Sequence, residues 1–279
     1  WEARKQTRTL LAADFSKKTK EELGTHLFNA DMQVRLKAQF ELAKRGADGE
    51  ETFKKMLAQA DNQLARIHAI WGLAQMARKN KNYAENILPY LKDKDPEIRA
   101  QAAKWIGDIK YKDNDAGNKL IPLLKDSYSR ARFFAAEALG RIEHELAITP
   151  IIEMLRANKD EDVYLRHAGS LALARIGHAD PIVNLAKDRS RAVRVAAVVA
   201  LRRMGDPRIS EFLLDIDEYI VTEAARAIND DLSIEAALPA LGNLLRLTNS
   251  ENEALVRRSI NANLPVGTDE ALQNLINYA

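Results

Sequence analysis

Small and apolar residues recur around an arginine about once every thirty residues of this chain. The arginines are Arg35, Arg66, Arg99, Arg132, Arg166 and Arg194, in steps of 31, 33, 33, 34 and 28 residues. With each arginine as position zero, +3 holds Ala38, Ala69, Ala102, Ala135, Gly169 and Ala197. Position +7 holds Leu42, Leu73, Ile106, Leu139, Leu173 and Leu201, and +10 holds Met76, Ile109, Ile142, Ile176 and Met204, with Arg45 the exception. At about 100° per residue, positions −1, +3, +7 and +10 share roughly one quadrant of a helix, which is the packing face. Self-similarity at this period predicts stacked helical units, each burying its face against its neighbours.

Each unit reads as two antiparallel helices, the second carrying the arginine and ending at a glycine such as Gly46, Gly177 or Gly205. First helices are expected at about 19–29, 49–60, 82–92, 116–125, 147–157, 181–187, 207–214 and 233–247. Thr19 and Glu22 form a capping box at the first of them. Pro89, Pro122, Pro150 and Pro239 fall inside first helices and should bend them or shift their starts. Arg4, Thr7 and Leu11 extend the pattern backwards as a half-repeat. Val221 with Ala224 and Ile228, and Arg257 with Ile260 and Leu264, extend it forwards in degenerate form, and 268–278 reads as a closing helix. The expected fold is all-α: a right-handed α–α superhelix of about eight helix pairs with degenerate end caps, forming a single domain over 1–279.

Composition narrows the function more than the fold. Hydrophobic residues make up 46% and charged residues 29% of the chain, as in ordinary folded proteins. The 42 Lys and Arg against 40 Asp and Glu leave a net charge of +2, which argues against sequence-independent nucleic-acid binding without excluding a local basic patch. No run approaches the ~20 apolar residues of a membrane span. There is no cysteine, hence no disulfide, thiolate nucleophile or thioether-linked haem in these residues. The opening Trp1-Glu2-Ala3-Arg4 has neither an initiator Met nor a signal-peptide core, so the chain reads as a piece of a longer polypeptide.

Signs of catalysis are sparse. No Gly-rich phosphate loop, His-Glu-x-x-His pair or nucleophile elbow occurs. The five histidines, His26, His68, His144, His167 and His178, are scattered over different units without helical metal-pair spacing. No catalytic residue, metal or cofactor is assigned.

The motif Asp-x-x-(Val/Ile/Leu)-Arg-x-x-Ala stands here as Asp31 to Arg35 and Asp95 to Arg99, and in altered form as Asp162 to Arg166. It resembles HEAT repeats, particularly the shorter units also found in phycobilisome lyase-type proteins, over nearly the whole chain. The resemblance implies that the motif's Asp and Arg link neighbouring units in a ladder, leaving the arginines structural. A narrower likeness, carried by Trp1 to Leu11 and Val34 to Leu42, is to the HEAT segment of large bacterial sugar dehydrogenases. There a β-propeller precedes the repeats and a c-type cytochrome domain follows, which would imply an exported, periplasmic or cell-surface protein. Deoxyhypusine hydroxylases share the architecture but carry several His-Glu dyads, whereas this chain has only His144-Glu145.

The resemblance also implies that partners bind along a concave surface lined by second helices. Positions +2, +5 and +9 are the expected exposed stripe: Lys37, Phe40 and Lys44, then His68, Trp71 and Gln75, then Gln101, Lys104 and Asp108. It continues as Phe134, Glu137 and Arg141, then Ala168, Leu171 and Arg175, then Ala196, Val199 and Arg203. Aromatic and apolar residues rimmed by arginine suit a protein interface. The partner-binding residues expected are Lys37, Phe40, Lys44, His68, Trp71, Gln75, Lys104, Phe134, Arg141, Leu171, Arg175 and Arg203. Strong curvature would instead bury them between second helices; Trp105 lies one place off the stripe and is expected to pack. The sequence thus gives a non-catalytic scaffold for a protein or a neighbouring domain of the same chain. An enzyme acting on nucleic acid, like HEAT-like DNA glycosylases, or on a tetrapyrrole, like bilin lyases, is the alternative.

Overall fold

The computed structural model of the chain describes residues 2–59, 61–113, 115–230, 232–246 and 251–279. Trp1 of the opening motif, and Ala60 and Leu247 of two expected first helices, lie outside the described residues. Regular structure among the described residues consists of α-helices and short 3-10 helices without strands, apart from an isolated bridge between Asn229 and Ser233. Two compact units are present, Trp1–Ile142 and Glu143–Ala279.

In the first unit α1 (Glu2–Ala12), α2 (Lys20–His26), α3 (Met32–Lys44), α4 (Ala47–Ala58), α5 (Gln63–Ala77), α6 (Pro96–Asp108), α7 (Ala116–Leu120) and α8 (Ser129–Arg141) follow one another. The arginine-bearing helices α3, α5, α6 and α8 pack side by side in that order, and α2 and α4 form part of a second layer against them. Thr19 caps α2 and Glu22 returns the bond, completing the capping box. The first helices expected at 82–92 and 116–125 are broken. They form the 3-10 helices Lys81–Asn86 and Leu88–Lys92, and α7 followed by the 3-10 helix Ile121–Lys125. Pro89 and Pro122 stand at the beginnings of the second pieces, where a missing N–H and a ring against the preceding turn prevent a continuous α-helix.

The packing face follows the repeat register. Val34, Ala38 and Leu42 of α3, and Ile98, Ala102 and Ile106 of α6, have no exposed surface. Position +4 is buried too, as Gln39, Ile70, Ala103 and Ala136, because each second helix has another second helix on its flank. Gly107 permits a close approach of α6 to α8: a Cβ there would stand 2.6 Å from the Ala138 Cα and 2.7 Å from its Cβ.

The second unit contains α9 (Ile148–Asn158), α10 (Val163–Ile176), α11 (Ala179–Val183), α12 (Arg191–Met204), α13 (Glu218–Ile228), α14 (Leu238–Asn243), α15 (Glu253–Val266) and α16 (Asp269–Tyr278). Here α10, α12, α13 and α15 pack in sequence. In α13 the degenerate register holds, with Ile220, Ala224 and Ile228 fully buried. In α15 it does not. Leu264, expected inside, is 65% exposed, and the buried face is Leu255, Ser259 and Asn263, one residue earlier than the apolar pattern indicates. Asn263 Nδ2 donates to Gly242 O at 3.1 Å and Ser259 O at 2.8 Å, and Asn274 Nδ2 donates to Asn263 Oδ1 at 3.0 Å. A hydrogen-bonded amide cluster therefore closes this end. The expected closing helix is present as α16, with Thr268 as its N-cap.

Five second helices, though not α5, which runs through Ala77, end in a positive-φ residue at +11. Gly46, Gly177 and Gly205 supply it without steric cost, but Lys110 (φ 51°) and Glu143 (φ 55°) occupy it as well.

Candidate functional site

Arg66, Arg99 and Arg194 are held by a ladder, but its carboxylates are not those of the motif. Asp31, Asp95 and Asp162, four residues before their arginines, are helix N-caps that accept from the amides two and three residues on. The ladder carboxylate lies two residues earlier, in the turn of the following unit. Arg66 Nη1 and Nη2 donate to Asp93 at 3.2 and 2.5 Å, and Arg99 Nε and Nη2 to Asp126 at 2.6 and 2.8 Å. In the second unit Arg194 grips Asp215 at 2.7 and 3.2 Å. The Asp126 carboxyl is lowered below its ordinary value by the Arg99 hydrogen bonds. Asp93 is raised by burial but lowered more by Arg66 and the Asp95 amide, so the net direction is down. These guanidinium groups have their partners inside the fold.

The second-helix face of the first unit divides into exposed and interhelix positions. Phe40, 46% exposed, and Lys44 project from α3. Lys37 is half-buried, its Nζ donating to Leu11 O at 2.7 Å and lying 4.9 Å from the Phe15 ring centroid. His68 is a correction to the expected stripe. It is 2% exposed, wedged between α3 and α5, with Nδ1 2.9 Å from Gln39 Oε1 and its ring 5.0 Å from that of Trp71. Burial, reinforced by the Arg35 charge, lowers its pKa to about 4, so it is neutral at pH 7. Position +2 fails as an exposed position for the same reason at Gln101, Ala168 and Ala196, all buried.

Trp71 and Gln75 are half-buried. Trp71 Nε1 donates to Gln101 Oε1 at 2.9 Å, Gln101 Nε2 to Glu97 Oε1 at 2.7 Å, and Tyr128 OH to Glu97 Oε2 at 3.0 Å. This relay across α5, α6 and the turn before α8 involves polar residues that apolar periodicity does not register. Lys104 and Arg141 both pair with Asp108, and Arg141 also with Glu137 at 2.9 Å. Lys104 Nζ lies 4.1 Å from the centroid of the half-buried Trp105, with Arg78 at 5.4 Å. Phe134 is half-buried, edge-on to Phe133 and under Arg130.

In the second unit Arg175 and Arg203 are exposed, and Leu171 and Val199 half-buried. The structure adds an apolar edge that the stripe omits. Met32 and Leu64 in the first unit, and Val163, Tyr164 and Tyr219 in the second, are 47–73% exposed near the N-terminal ends of second helices. Their signal in the sequence is an apolar residue two or three places before the zero position.

HEAT-repeat models match residues 50–132, 84–164 and 148–229, together more than half of the chain. The chain belongs to the HEAT-repeat family. Among solved structures, YibA of E. coli is 21% identical with a TM-score of 0.51, over 88% of this chain and 93% of that one. The CpcE–CpcF complex of phycocyanin lyase from Nostoc sp. PCC7120 is 19% identical, with a TM-score of 0.46 over 96% and 97% of the two chains. Human deoxyhypusine hydroxylase in complex with glycerol is 18% identical, with a TM-score of 0.38 over 93% and 95%. The likeness to YibA shows the HEAT-repeat fold alone. No curated protein matches the chain. Among the described residues no group of three or more His, Asp or Glu is arranged to hold a metal, and no helix is long and apolar enough to cross a membrane.

Proposed function

We propose that this HEAT-repeat chain is a non-catalytic scaffold, acting as a single repeat domain, that docks a protein or a neighbouring domain of its own polypeptide on its second-helix faces. The observation that carries the reading is exposure: Phe40 and Lys44 in one unit, and Arg175 and Arg203 beside the half-buried Leu171 in the other, lie at the surface, whereas Arg66, Arg99 and Arg194 are held in ladder pairs within the fold. Apolar groups beside basic ones have the composition of an interface core and its rim. The likeness of Val34 to Leu42 to the HEAT segment of exported sugar dehydrogenases makes a β-propeller or c-type cytochrome domain the first neighbour to try, in a periplasmic or cell-surface setting.

The test pairs binding with stability. Phe40→Asp and Leu171→Asp are introduced separately, and each variant is titrated with the polypeptide encoded on either side of this segment. Docking predicts weakened binding with an unchanged melting temperature. A collapse of the melting temperature would make these positions core. Salt-dependent DNA binding or a coloured bilin adduct, followed by Trp fluorescence, would favour the enzyme reading over the scaffold.

A further inference from the structure

Arg99 and Arg194 hold their guanidinium groups in one pose. In each, Nη1 donates to the carbonyl six residues back, Asp93 O and Asp188 O, both at 2.8 Å. Nε and Nη2 together grip a single carboxylate edge-on, Asp126 and Asp215 respectively. Those aspartates come from the following unit, six residues before its own zero position.

Arg35 adopts the first half of this pose. Its Nη1 donates to Asn29 O at 2.6 Å and Ala30 O at 2.8 Å, just as Arg99 Nη1 donates to Asp93 O and Lys94 O. The second half has no counterpart. Six residues before Arg66 the sequence has Ala60, which carries no carboxylate. Arg35 is 6% exposed, its Nε is buried without an acceptor, and it makes no ion pair among the described residues. A guanidinium at this depth is normally neutralised, because an uncompensated buried charge is costly. Neutral His68 cannot neutralise it; the Arg35 charge instead adds to the lowering of the His68 pKa.

We propose that the Nε–Nη2 edge of Arg35 binds a small carboxylate, held edge-on as Asp126 is held by Arg99 and Asp215 by Arg194. Two parallel N–H donors match the two oxygens of a planar carboxylate. The burial of Arg35 limits the ligand to the size of formate or acetate, or to the tip of an acidic side chain. Asp61, next in sequence to the position that lacks the ladder carboxylate and itself exposed, is tested as an internal competitor.

Arginine Nε–H signals of the 15N-labelled 279-residue chain are followed during titration with sodium formate, against sodium chloride at matched ionic strength. One signal should move downfield and saturate with formate but not with chloride, and be missing in Arg35→Lys. Ala60→Asp, which restores the ladder carboxylate, should leave that signal already shifted and insensitive to formate, and should raise the melting temperature. It identifies the signal even where Arg35→Lys fails to fold. A signal already shifted in the parent chain, returning upfield and regaining its formate response in Asp61→Asn, supports the same site with its carboxylate supplied by Asp61. No formate response in either the parent or Asp61→Asn overturns the proposal, as does an equal response to chloride.

Discussion

The Trp71 indole donates to Gln101 Oε1 at 2.9 Å, tying α5 to α6 through a side chain that is itself 4% exposed. Trp71→Phe keeps an aromatic ring at the site but removes the indole N–H donor together with part of the ring volume, leaving a buried acceptor unsatisfied. The expected cost is about 1–3 kcal/mol, read from urea denaturation. A change within error would mean that water replaces the indole and that the relay contributes no stability.

The ladder should matter more than any exposed ion pair. The Arg66 and Asp93 side chains are 4% and 13% exposed, so Asp93→Ala strands a buried guanidinium, at an expected cost of about 3–5 kcal/mol. Removing the exposed Arg257–Glu253 pair by Glu253→Ala serves as the control and should have little effect. Equal costs for the two would show that the ladder is no better than a surface contact.

Lys110 occupies a left-handed position that Gly46, Gly177 and Gly205 fill in other units. Lys110→Gly relieves a conformational cost of about 1–2 kcal/mol, partly offset by the greater freedom of glycine in the unfolded chain. A net rise in thermal stability is expected, and a fall would show that the lysine side chain outweighs its backbone strain.

Stability should fall with acidification in two windows. His68 has its pKa lowered to about 4 by burial and the Arg35 charge, so between about pH 6.5 and 4 the unfolded chain binds the extra proton. Stability then rises with pH across that window and levels off above it, a span of up to about 3 kcal/mol. Asp93 and Asp126 are lowered, so their contribution is present above the ordinary carboxylate range and lost below it. Urea midpoints at pH 5 and pH 7 for the parent and His68→Gln separate the two; an unchanged pH dependence in the variant would rule out His68.

Gly107 lies where α6 and α8 meet, and the atoms a Cβ would strike belong to the Ala138 backbone and its Cβ. Gly107→Ala should therefore force the helices apart and cost about 1–3 kcal/mol, measured as a drop in melting temperature. Tolerance of the methyl group would imply that the helix layer adjusts at little cost.

What this chain announces in its sequence is periodic or local. The repeat, the buried quadrant at −1, +3 and +7, the positions of most first helices, the Thr19 capping box and the glycine stops follow from 3.6-residue geometry and from backbone rules acting over a few residues. The tertiary structure decided what depends on distances between units. It assigned the ladder carboxylate to Asp93, Asp126 and Asp215 rather than to the capping aspartates. It drew His68 and Gln101 between second helices, and it shifted α15 by one residue so that a hydrogen-bonded Asn263, and not Leu264, faces inward. Periodicity counts angles around one helix; how closely the next helix approaches, and so which flank is sealed and which stays open to a partner, is set by side-chain volume and hydrogen bonding across the layer.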